Sequence, residues 1–160
     1  MRTRLWIVLA FLAFFSLPAS SANAAPSDAR FHTHMTAVTG IDSKAQGQAN
    51  FKLVGETMEY IITASKLEGG AATVAHIHIS ATPGGNGPPV VTLCGSNPPP
   101  AQPACRNPGV LAQGTIDLAA YGTTSGSLLT AISEHRAYVN VHSTQFGSGE
   151  IRGELTFIGP

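Results

Sequence analysis

Beyond residue 30, apolar and polar residues alternate along much of the chain with the period of two that marks a half-buried strand. Phe31 to Ala37 alternates and predicts a first strand. Ala49, Phe51 and Leu53 form the inward face of a second. Val54-Gly55-Glu56-Thr57 then turns the chain back, and Met58, Tyr60 and Ile62 face inward on the antiparallel partner. Strands follow over Val74 to Ile79, Val90 to Leu93, Val110 to Ile116, Ala137 to Ser143 and Glu150 to Phe157, the last two joined by a hairpin-type loop, Gln145 to Gly149. Leu128 to His135 lacks alternation and suits about two turns of helix. The 17 glycines and 11 prolines supply turns between short strands. The pattern predicts an all-β fold, a Greek-key β-sandwich or barrel with one short helix.

The N-terminus reads differently. Arg2 and Arg4 precede a run from Leu5 to Phe15 that is nearly all apolar, and Ala22-Asn23-Ala24 has the small-x-small pattern of a cleavage site. The run is shorter than the roughly 20 residues that span a bilayer. The expectation is a signal peptide over 1–24, a short disordered leader over 25–29 and one domain over 30–158. The product is then exported, periplasmic or secreted, with no membrane span after cleavage.

Composition narrows the partners. Charged residues make up 11% of 160 and the formal net charge is zero, so there is no basic patch to bind nucleic acid. In an exported chain the single pair Cys94 and Cys105 is expected to form a disulfide across the Pro-rich segment between them. Gly-x-Ser-x-Gly, His-Glu-x-x-His and phosphate-loop motifs are absent from the sequence.

The chemistry-bearing residues are histidines. In Ala75-His76-Ile77-His78-Ile79 both imidazoles fall on one strand face, backed by isoleucines on the other. Tyr138-Val139-Asn140-Val141-His142 repeats the pattern, so three imidazoles converge if the two strands are neighbours. His76, His78 and His142 are the candidate ligands for copper, with zinc as the alternative. Asn140, two residues before His142, is the candidate to hydrogen-bond a ligand imidazole. Arg152 is a candidate to steer an anion, although an ion pair with Glu150 on the same face is the plainer expectation. His32 and His34 form a weaker pair, adding ligands or making a separate site, unless they merely line a polar edge strand. His135 is expected to complement the helix dipole, and Asn86-Gly87-Pro88 to be turn chemistry.

Ala75-His76-Ile77-His78, Gly85-Asn86-Gly87-Pro88, Tyr138-Val139-Asn140-Val141-His142-Ser143 and Gly149-Glu150-Ile151-Arg152-Gly153-Glu154-Leu155, in that order, resemble the CHRD (chordin-type) domain found in exported bacterial proteins. Phe146-Gly147-Ser148 departs from the Asn-Pro-type turn common there. The resemblance implies an immunoglobulin-like or cupredoxin-like β-sandwich and leaves activity open. A weaker likeness is to copper/zinc superoxide dismutases, which also use a His-x-His strand and a later histidine. This chain lacks their zinc loop, so that likeness implies at most a copper-only enzyme. The expected function is an exported, metal-binding domain. The alternatives are a non-enzymatic adhesion module that binds a cell-surface or extracellular protein, with structural histidines, and a copper-dependent redox enzyme.

Overall fold

The computed structural model describes residues 28–106 and 109–158. The expected signal peptide lies outside them, as do residues 25–27 of the expected leader. Asp28 and Ala29 belong to the first strand, which starts three residues before the predicted Phe31.

Among the described residues nine strands form the frame: β1 (Asp28–Ala37), β2 (Gln46–Val54), β3 (Thr57–Ser65), β4 (Ala72–Ile79), β5 (Pro89–Cys94), β6 (Gly109–Asp117), β7 (Ala137–Ser143), β8 (Ile151–Glu154) and β9 (Thr156–Phe157). They are hydrogen-bonded in the order β5-β4-β7-β8-β1-β2-β3-β6, with β9 paired to β1. Every pairing is antiparallel. After the β1-β2-β3 meander the chain crosses to β4, returns to β6 beside β3, and crosses again to β7 beside β4, which is Greek-key connectivity. The two ends of this order approach each other. Tyr60 on β3 reaches across the interior and donates its hydroxyl to the Leu93 carbonyl on β5 at 2.6 Å, so the sheet wraps into a nearly closed, all-β barrel.

The period-two pattern fills that barrel. Phe31, Thr33 and Met35 from β1, Ala49, Phe51 and Leu53 from β2, and Met58, Tyr60 and Ile62 from β3 are buried on the inward face. Phe31 and Phe51 stack at 5.0 Å. Each large apolar side chain so buried contributes about 1.5–3 kcal/mol. β1 is an interior strand between β2 and β8/β9, which overturns the edge-strand reading of His32 and His34.

The helix, α1 (Ser125–Ser133), starts three residues before the predicted point. Leu128, Leu129 and Ile132 are buried, as the pattern required. The start is fixed by Thr124, whose side chain caps the Ser127 N–H, and by the Glu56 carboxylate. Glu56 arrives from the β2–β3 turn and accepts the Ser125 N–H and hydroxyl at 2.7 Å each. A short 3-10 turn, Leu118–Tyr121, precedes it. The last predicted strand is split at buried Leu155, whose N–H turns to the Ala137 carbonyl of β7. Cys94 and Cys105 are disulfide-bonded and staple the 95–104 loop to the end of β5.

Candidate metal centre

β4 and β7 are direct neighbours, with His76 opposite Asn140, His78 opposite Tyr138 and Val74 opposite His142. Ala75, Ile77, Val139 and Val141 point into the core, which drives the polar residues between them to the outer face. That face is not open to solvent here. Three loops fold over it, so His76 and His78 are only 5% and 6% exposed, and His142 is half-buried.

Each of these loops contributes one main-chain carbonyl, and each carbonyl takes a proton from a different imidazole. His76 donates Nε2–H to Asn97 O in the stapled loop. His78 donates Nδ1–H to Gly87 O at 2.9 Å in the β4–β5 loop. His142 donates Nδ1–H to Gly147 O at 2.9 Å in the β7–β8 loop. A carbonyl only accepts, so the three tautomers are fixed. The remaining nitrogens, His76 Nδ1, His78 Nε2 and His142 Nε2, carry lone pairs when the rings are neutral. Burial keeps them neutral: it pushes His76 and His78 down to about 4 against the opposing pull of their carbonyl hydrogen bonds, and lowers His142 in the same way.

The three rings converge. His76 Nδ1 and His142 Nε2 lie 3.3 Å apart. His78 Nε2 is buried with no hydrogen-bond partner among the described residues. One ligand atom from each of the three rings falls within 4.8 Å of the others.

The surrounding residues take roles that the sequence pattern did not give them. Asn140 donates to Ser148 O at 3.1 Å rather than to an imidazole, tying down the loop that carries Gly147. Arg152 makes no ion pair with Glu150. Its guanidinium lies 3.4 Å above the Tyr138 ring and donates to Asn86 Oδ1 at 2.5 Å and Gly85 O at 2.6 Å, clamping the loop that carries Gly87. Glu150 is buried elsewhere, accepting from Ser43 and from the Glu68 and Gly69 N–H groups. Gly87 is required by proximity rather than by a left-handed turn, since a Cβ there would meet the Ile79 carbonyl oxygen at 1.9 Å. His135 pairs with Glu154 at 2.5 Å instead of serving the helix end alone. His32 and His34 sit on β1, away from the three converging rings. Tyr138, Asn97 and Gly147 are the site residues that sequence reasoning missed, and the two carbonyl acceptors among them have no side-chain signature to find.

A family model of the CHRD domain matches residues 27–155. The chain belongs to the CHRD-domain family. No curated protein and no solved structure matches it. The three histidines and the Gly87 and Gly147 carbonyls all lie inside the CHRD match, so the centre is built from the domain itself.

Proposed function

We propose that this CHRD domain is an exported metal-binding protein that holds one copper ion on His76, His78 and His142, with zinc the alternative. The observation that carries this reading is the 3.3 Å approach of His76 Nδ1 to His142 Nε2, two nitrogens whose protons are committed elsewhere. Two facing lone pairs repel unless a cation lies between them. A shared proton is disfavoured by the same burial that lowers both rings. Two nitrogens bound to one metal at about 2.0 Å with a tetrahedral angle stand about 3.3 Å apart, so the spacing suits an ion. The buried lone pair of His78 supplies the third donor.

Neutral imidazoles with no thiolate fit copper and zinc alike, and the usual affinity order places Cu²⁺ ahead of Zn²⁺. Copper held there supplies one-electron redox chemistry, and either ion a Lewis acid. Export is supported by the leader-like N-terminus and by a disulfide that an oxidising compartment maintains. Among the described residues no helix is long and apolar enough to cross a membrane.

The test is a copper and zinc titration of wild type beside His78→Ala. One tight equivalent, lost in the variant, is the expected result. No tight binding, or binding unchanged by the substitution, overturns the reading and leaves the interaction-module alternative.

A further inference from the structure

We infer that His32 and His34 form a second metal site, solvent-facing and separate from the buried centre, that takes a borderline divalent cation such as Cu²⁺. The pair repeats the geometry of His76 and His78. Both pairs are His-x-His on a strand. The ring centroids of His32 and His34 are 5.6 Å apart with planes at 78°, against 5.4 Å and 75° for His76 and His78. That spacing also falls between the 5.1 Å of His76–His142 and the 6.1 Å of His78–His142. Two rings so placed bring one nitrogen each to one ion by rotamer adjustment alone.

The rings are available. Neither imidazole has a hydrogen-bond partner among the described residues, in contrast to the three carbonyl-locked rings. His34 is exposed and His32 half-buried, while Phe31, Thr33 and Met35 between and beside them fill the core and hold the strand rigid. On β2, Asn50 stands opposite His32 and Gln48 opposite His34.

The site is independent of the first. In sheet order β1 is three strands from β4 and two from β7, which carries His142, ~10 Å along the sheet at ~4.8 Å per strand, and the three converging rings include neither His32 nor His34. Two protein ligands with solvent completing the shell bind more weakly than three buried ones, so this ion exchanges with solution.

The experiment is a Cu²⁺ titration of the untagged protein, comparing wild type, His142→Ala and the double variant His32→Ala/His34→Ala. Wild type is expected to bind two equivalents, the second weaker. His142→Ala keeps the weaker one and loses the tight one. The double variant does the reverse, and because both side chains are unbonded it retains the wild-type fold by circular dichroism. Electron paramagnetic resonance of the weak copper in His142→Ala shows two coordinated imidazole nitrogens. A single tight equivalent in wild type that is lost in His142→Ala, or a second equivalent that survives in the double variant, overturns the inference. Failure of the buried-centre reading looks different: the tight equivalent is missing in wild type while the weak one remains.

Discussion

The imidazole of His78 lies flat on the ring of Tyr138, with centroids 4.8 Å apart and planes at 11°. Arg152 covers the Tyr138 ring at 3.4 Å. The Tyr138 hydroxyl accepts the Gly87 N–H at 3.1 Å and donates to Gly87 O at 3.2 Å, the same oxygen that takes the His78 Nδ1–H. One residue therefore sets both the plane of the His78 ring and the position of the carbonyl that fixes its tautomer.

Tyr138 can be divided into these two roles by substitution. Tyr138→Phe keeps the stack and loses the tie to Gly87, whereas Tyr138→Leu loses both. Partners of ligand imidazoles typically carry 10–100-fold in metal affinity. Tyr138→Leu is expected to weaken copper binding by roughly that factor, with Tyr138→Phe intermediate, read by competition against a copper chelator. Wild-type affinity in Tyr138→Leu would show that the stack does not orient His78.

The disulfide carries a separate prediction. Its loop brings Asn97 O to His76, and is also tied by Thr92 Oγ1 to Pro98 O at 2.5 Å and by the Tyr121 hydroxyl to Pro100 O at 2.8 Å. The bridge closes 11 residues of separation, for which the loop-entropy relation gives about 3 kcal/mol. Cys94→Ser/Cys105→Ser should lower the unfolding free energy of the metal-free protein by about that amount in urea. Metal affinity should fall too, by less than in a variant lacking His76, because the hydroxyl ties still guide the loop. An unchanged urea midpoint refutes the stabilising role. Unchanged affinity refutes the link from loop to ligand.

These arrangements explain what was legible in the sequence. Alternation shows which strand face is apolar, and so the barrel core and the common facing of His76, His78, Asn140 and His142 could be read directly. Pairing of β4 with β7 could only be conditional, because β5 and β6 intervene in the chain. Contacts made by carbonyls left no trace: any residue offers one, so nothing in Asn97 or Gly147 announces a partner for an imidazole. Charge pairing misled at Arg152 and Glu150. Shared strand parity suggested an ion pair, but Arg152 found an aromatic face while Glu150 turned to backbone donors 82 and 81 residues away. The helix start was obscured because its first turn is held by Glu56, which supplies acceptors from a distant turn of the chain.

Glu150 makes the fold sensitive to acid. Its side chain is fully buried, and Oε1 accepts from the Ser43 hydroxyl at 2.8 Å and the Glu68 N–H at 2.7 Å, while Oε2 accepts from the Gly69 N–H at 3.2 Å. Burial alone would raise this carboxyl, but hydrogen bonds to the charged form outweigh it and hold the group below the usual range. A carboxylate depressed in the folded state adds stability above its unfolded pKa of about 4.3 and loses it as pH falls through that value towards the folded one. Glu150→Gln removes acceptor capacity for these donors, at about 1–3 kcal/mol near neutral pH. The gap between wild type and variant should be largest at pH 7 and should shrink below about pH 4. Urea unfolding of both proteins from pH 7 to pH 3, without metal, measures it. A gap that stays constant across this range would mean that Glu150 acts by shape alone and that its ionisation does not hold the β1–β2 and β3–β4 loops to the β7–β8 loop.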